Sequence, residues 1–340
     1  MKLRRLLFAS VFFTTYYAQA QQLAPVFDKF ADIYQQELGS IKGCEWPENS
    51  TFRVCSETLK NEGNAPYILH HGQVTDKVVV LFHGLSDSPF FFKSIAEAIY
   101  QQGHNVVVAL LPGHGKKEAD ADMQDPRLAG RWTRHVAEIM RFSQSLGLQK
   151  YIGGFSTGGT LATQYILMNP KQAKGLMLFS GALALDSSVE SMADIWGIKW
   201  LAKVLDGNYA AMGPNPYKYP GVAKFSAFQL TDIIFDVRER LAKQQGINVP
   251  IFAAHSLADV TALYTGIEDL TTQNKGENSL FKISADIRVC HADVVISQQQ
   301  LLDMQYDSSG VSEAAPCGIP LANPQHSQML AATLKFLEGH

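Results

Sequence analysis

The 340-residue sequence predicts an α/β fold built on a mostly parallel, doubly wound sheet. Three observations predict it. Short β-branched runs alternate with longer helical stretches, the runs are apolar throughout rather than at every second residue, and one of them ends in a glycine-rich turn around Ser156. Continuous apolar runs are expected of parallel strands covered on both faces. Strands alternating with helices are the pattern such a sheet produces.

The N-terminus comes first in chain order. Lys2, Arg4 and Arg5 precede a short apolar run from Leu6 to Tyr17, and Ala18-Gln19-Ala20 offers a small-x-small cleavage pattern. This reads as a signal peptide over 1–20, so the chain is expected to be secreted or periplasmic. The apolar run is too short to span a bilayer core of ~30 Å, and no later stretch qualifies, so no membrane span is expected in the mature protein. Leu23 to Leu38 places Val26, Phe27, Phe30, Ile33, Tyr34 and Leu38 near helical spacing. Gly43 to Gly63 is polar and loop-rich, so residues 21–63 form an N-terminal helix and disulfide loop ahead of a sheet domain over 64–340.

The strands of that domain are expected at Val78–Phe82, Val106–Leu110, Tyr151–Gly154, Leu176–Phe179 and Val249–Ala253. Helical stretches lie at Phe91–Gln102, Trp132–Leu146 and Thr160–Asn169. A segment of about 181–248 interrupts the rhythm. Its Trp196, Trp200, Tyr209, Tyr217, Tyr219, Phe225 and Phe228 predict a helical cap over a pocket.

Four cysteines, Cys44, Cys55, Cys290 and Cys317, allow three pairings. An exported chain meets oxidising conditions, and the two local pairs are favoured because each closes a Gly- or Pro-containing loop. No closely spaced Cys/His ligand set occurs, so no metal is expected. A net charge of -3 gives no reason for a nucleic-acid partner. No Gly-x-Gly-x-x-Gly opens the first βα turn and no P-loop occurs, which sets aside dinucleotide and phosphoryl-transfer chemistry. No cofactor is expected.

Gly154-Phe155-Ser156-Thr157-Gly158 sits where a predicted strand meets a predicted helix. A serine at so sharp a turn needs glycine two residues before and two after it, because side chains there would strike neighbouring backbone. The turn presents the hydroxyl at the strand's carboxyl end. Ser156 is therefore the candidate nucleophile. Upstream, His83-Gly84-Leu85-Ser86-Asp87-Ser88-Pro89 closes the first parallel strand. In this architecture the backbone amides of Leu85 and Thr157 are the expected oxyanion donors, and His83 is structural.

Leu81–Pro89, Leu111-Pro112-Gly113-His114-Gly115 and Gly153–Gly159 together resemble the α/β-hydrolase superfamily, closest to its carboxylesterase, monoacylglycerol-lipase and serine-aminopeptidase-like branch. The likeness is strong over Val78–Leu178 and loose elsewhere. It implies esterase or lipase chemistry, with acid and base following the nucleophile in the chain. Val249–Asp259 resembles the family's strand and Gly-x-x-Asp turn, with His255-Ser256 in place of His-Gly, so Asp259 is the expected acid; a helix cap for Thr261 is its bland alternative. The base lies among His291, His326 and His340. His291 is preferred, as it follows what reads as the last strand, Ser284–Cys290. His326 at the start of the final helix remains the alternative.

The expected activity is hydrolysis of a carboxylic ester, small or lipid-like, through an acyl-enzyme. A serine aminopeptidase or amidase on the same fold is the nearest alternative, since Asp186, Glu190, Asp194, Asp206, Asp232 and Asp236 of the insertion offer carboxylates for a substrate amine. A non-catalytic ligand-binding relative is the other.

Overall fold

The structure, a computed structural model, describes residues 25–44, 50–193, 195, 197–244, 247–309, 311 and 317–340. The segment read as a signal peptide lies outside the described residues, as does Trp196.

Helix α1 spans residues 25–38 and buries Phe30, Tyr34 and Leu38, spaced four apart on one face. A two-stranded antiparallel ribbon of β1 (Ile41–Lys42) and β3 (Cys55–Ser56) follows, with β2 (Thr51–Arg53) between them in the chain. Cys44 and Cys55 are bonded here, with Cα atoms 5.4 Å apart. The remaining strands are β4 (Tyr67–Leu69), β5 (Thr75–Phe82), β6 (Asn105–Ala109), β7 (Gly147–Phe155), β8 (Gly175–Phe179), β9 (Ile251–Ser256) and β10 (Asn278–Ile283). They join β2 in an eight-stranded sheet of order β10-β9-β8-β7-β5-β6-β4-β2. From β10 to β6 the strands run parallel, while β4 and β2 close the far edge antiparallel.

Alternate residues of each strand point to opposite faces, and both faces are filled. Val78, Val80, Phe82, Ile152 and Leu178 meet α1, α4 (Leu128–Phe142), α5 (Thr157–Met168) and α8 (Lys224–Gln244). Val79, Leu81, Tyr151, Met177 and Phe179 meet α2 (Lys93–Gln101) and α11 (His326–Gly339) on the other side. Short α3 (Asp120–Met123) precedes α4. The insertion between β8 and β9 holds α6 (Ser187–Ala193), α7 (Ile198–Asp206) and α8, and α8 packs along α5. Helices α9 (Tyr264–Gln273) and α10 (Gln298–Asp303) lie on either side of β10 in the chain.

One expectation is corrected. The last strand is Asn278–Ile283, not Ser284–Cys290; the latter segment forms a single turn of 3-10 helix, Ala285–Ile287, and a loop. As the edge strand, β10 alternates exposed and half-buried residues and lacks the continuous apolar run that betrays the inner strands. The aromatic residues of the insertion divide between packing and surface. Tyr219, Phe225 and Phe228 are buried in packing, whereas Trp200 is 70% exposed.

Candidate active site

The turn at the end of β7 is as tight as its composition demands. A Cβ on Gly158 would lie 1.8 Å from the Phe82 carbonyl oxygen, and one on Gly154 would lie 2.2 Å from the Gly158 carbonyl carbon. Ser156 itself carries φ 52° and ψ -118°. A non-glycine residue held there stores of order 1–3 kcal/mol of strain. Hydrogen bonds clamp it: the Ser156 amide donates to Phe179 O at 3.1 Å, and Ser156 O accepts from Gly159, Thr160 and Ala182. Phe155 and Phe179 are register partners on β7 and β8, so the sheet itself fixes the turn.

The end of β9 supplies a carboxylate. Asp259 is buried; its Oδ1 accepts from the amides of Thr261 at 2.8 Å and Ala262 at 3.0 Å. Its Oδ2 accepts from His291 Nδ1 at 2.5 Å. Asp259 turns the backbone at Thr261 and meets the histidine, but it does not cap a helix there, since α9 starts only at Tyr264 with Leu263 as its N-cap. Burial pushes this carboxyl up, but the hydrogen bond and charge of His291 and the Ala262 amide outweigh it, so its pKa lies below the ordinary aspartate value.

His291 stands on the loop leaving β10 and opens a 3-10 turn, His291–Val295. With Nδ1 donating to Asp259, its Nε2 accepts from Ser156 Oγ at 2.8 Å. The ring also lies against Phe155, with centroids 4.9 Å apart. Immediately before it, Cys290 is bonded to Cys317. His326, the other candidate, is buried at the start of α11 with Nε2 3.0 Å from Ser94 Oγ, and makes no contact with Ser156 or Asp259. His340 ends the chain beside Glu277.

Thr157 follows Ser156 in the chain, and Leu85 lies on the loop leaving β5, the strand paired with β7. Thr157 is the first residue of α5, where an amide has no partner within the helix. Neither its N–H nor that of Leu85 donates a hydrogen bond among the described residues. The loop bearing Leu85 is held by His83, whose Nδ1 donates to Gly84 O while its Nε2 accepts from the Leu111 amide at 3.0 Å. Burial keeps this histidine neutral, well below the usual imidazole pKa. It is structural.

Three further groups near the site were not singled out from the sequence. His255 donates from Nε2 to Ala262 O at 2.9 Å and so closes the turn that aims Asp259. Asp293, two residues after His291, is buried and raised to about 6 by burial. Asp87, in the quoted His83–Pro89 loop, pairs with Lys218 of the insertion. Only the first and last had a signal, in the His255-Ser256 departure and in the loop motif. A cavity of about 650 Å³ among the described residues lies elsewhere, between Arg53, Lys60, Phe90 and Tyr217, and none of Ser156, Asp259 or His291 lines it.

Residues 73–221 match the family described as serine aminopeptidase, S33. No curated protein matches the chain in sequence. Among solved structures it is similar to one from the metagenome-derived lipolytic enzymes LipS and LipT, at 18% identity and TM-score 0.59 over 82% of this chain and 98% of that one. The monoacylglycerol lipase of Paleococcus ferrophilus aligns at 16% identity and TM-score 0.54, covering 79% and 96%. Est1E of Butyrivibrio proteoclasticus, with ferulic acid bound, aligns at 14% identity and TM-score 0.51, covering 81% and 94%. Sheet order, the strained serine turn and these likenesses converge: the chain has the α/β-hydrolase fold.

Proposed function

We propose that the protein hydrolyses carboxylic esters, with Ser156 as nucleophile, His291 as general base and Asp259 orienting and stabilising the histidine. The observation that carries this reading is the unbroken hydrogen-bonded chain from Asp259 Oδ2 through both ring nitrogens of His291 to Ser156 Oγ. In the first half-reaction His291 Nε2 takes the hydroxyl proton as Oγ attacks the acyl carbon, and the imidazolium is held by the Asp259 carboxylate. The Leu85 and Thr157 amides receive the developing oxyanion. His291 then returns the proton to the leaving alcohol. In the second half-reaction the same nitrogen activates water against the acyl-enzyme. No step calls for a metal or cofactor. The insertion of about 181–248 would cap the acyl site, and export of the mature chain fits its two disulfides.

An amine-recognising peptidase site is less well supported. Among the described carboxylates of the insertion, Glu190 is held by Arg238, Asp232 by Lys199 and Asp236 by Arg240. Asp206 caps the amides of Lys224 and Phe225, and Asp186 accepts from Ser188. Asp194 lies outside the described residues.

Hydrolysis of p-nitrophenyl butyrate by the mature protein tests the reading. Ser156→Ala and His291→Ala should each lose about 10⁴-fold or more in kcat, while His326→Ala stays within about threefold of wild type. An active Ser156→Ala variant, or an inactive wild type that cleaves an aminoacyl p-nitroanilide, would sink it.

A further inference from the structure

The loop that carries Leu85 is held by a part of the molecule that belongs to neither the sheet nor the proposed catalytic residues. The Asp87 amide donates to Gly84 O at 3.2 Å, closing a turn in which Ser86 has φ 69°. A positive φ at the third position of a turn is normally given to glycine, and a serine there persists only where its surroundings impose it. Two contacts from the insertion do so. The Tyr219 amide donates to Ser86 O at 2.8 Å, and Lys218 Nζ donates to Asp87 Oδ1.

The Asp87 side chain is only 2% exposed, and its other oxygen lies against Gly84, where a Cβ would approach it to 2.4 Å. The carboxylate is therefore wedged against the residue preceding Leu85. Lys218 is itself seated firmly. Its carbonyl accepts from Lys60 Nζ at 2.9 Å, and the preceding Tyr217 ring stacks on Phe90, with centroids 3.7 Å apart. Lys218 also lies within electrostatic reach of Asp293, two residues after His291.

We infer that Lys218 and Asp87 form a positioning pair for the oxyanion loop, through which the insertion fixes the Leu85 amide where negative charge develops on the substrate. Neither residue touches the reacting atoms. The pair acts through the Gly84–Asp87 turn, and the inference rests on the ester-hydrolase reading above. Removing Lys218 strands a buried carboxylate, which must turn toward solvent or take a proton, and either change loosens the turn. A donor displaced by a fraction of an ångström stabilises the transition state poorly while leaving ground-state binding nearly intact.

The test uses Lys218→Met, Lys218→Arg, Asp87→Asn and the double variant Asp87→Asn/Lys218→Met, each corrected for active sites by phosphonate titration. Lys218→Met should lower kcat for p-nitrophenyl butyrate by about tenfold to a hundredfold with KM within about threefold. It should weaken inhibition by butylboronic acid, a tetrahedral mimic, by a similar factor, and Lys218→Arg should restore most of both. The double variant should lose no more than the worse single one, because both act through one contact. Multiplying losses, or a kcat within twofold of wild type in Lys218→Met, would overturn the proposal. A readout independent of turnover separates it from the reading on which it rests. Amide hydrogen exchange over 84–92 should quicken in Lys218→Met in any case, and unchanged exchange there overturns the positioning pair even if the wild type cleaves no ester.

Discussion

Two buried carboxylates flank the same histidine, one before it in the chain and one after, and they have opposite character. Asp259, on the turn after β9, receives two backbone amides and the His291 ring, and is held below the ordinary aspartate pKa. Asp293, on the turn that His291 opens, receives a single amide among the described residues, that of Leu321 at 3.1 Å, and burial raises it to about 6 despite Lys218 and His291 nearby. Burial by itself opposes charge at both. The number of donors decides the sign. Under the proposed mechanism this gives a division of labour, with the carboxylate held low partnering the imidazolium and the other more easily discharged.

The largest effect should come from breaking the first of these. Asp259→Asn keeps the shape of the side chain but can turn an N–H toward His291 and stabilise the wrong tautomer. A loss of about 10⁴-fold in kcat is expected, measured on p-nitrophenyl butyrate at pH 7–8. A loss below about tenfold would mean that the histidine is oriented by something else.

A smaller effect, of opposite direction, should come from the second. The folded-state pKa of Asp293 is raised, so the native protein holds a proton that the unfolded chain has released between about pH 4 and pH 6. Its contribution therefore falls as pH rises through that window and is unfavourable above it. Asp293→Asn should stabilise the protein by up to about 2–3 kcal/mol at pH 8 and by little at pH 4. Urea unfolding at the two pH values reads this directly, and equal effects at both would remove the assignment.

The smallest change sharpens the comparison. Leu321→Pro deletes the amide that Asp293 accepts from among the described residues. It should cost about 1–2 kcal/mol at pH 8, where the carboxylate is ionised, and less at pH 4. A pH-independent cost would point to backbone strain instead of a lost donor.

The same contrast explains what could be read from the sequence. Ser156 was legible because a sharp turn imposes its glycines within five residues, so chemistry and local geometry share one short segment. The inner strands β5 to β9 were legible because burial on both faces leaves a continuous apolar run. β10, β4 and β2 were not, since edge strands and short strands carry no such run, and the last strand was consequently placed after its true end. His291 still lies on the loop leaving the last strand, because the segment between β10 and His291 is long enough to absorb that error. Asp293 and Lys218 gave no signal. Their roles depend on contacts across 28 residues to Leu321 and 131 residues to Asp87, which no local pattern encodes. Composition counts the aromatic residues of the insertion without saying which way they face. Trp200, Leu201, Val204 and Leu205 point outward from α7, while Ala202 alone of that helix is buried.

The positive φ of Ser156 bears on how such a sequence can change with time. On backbone energetics alone the best residue at position 156 is glycine, which accepts that conformation at no steric cost. Under the proposed mechanism, stability and chemistry pull this one position in opposite directions. A selection that scored folding alone would favour Ser156→Gly, and only a selection for turnover would keep the hydroxyl there.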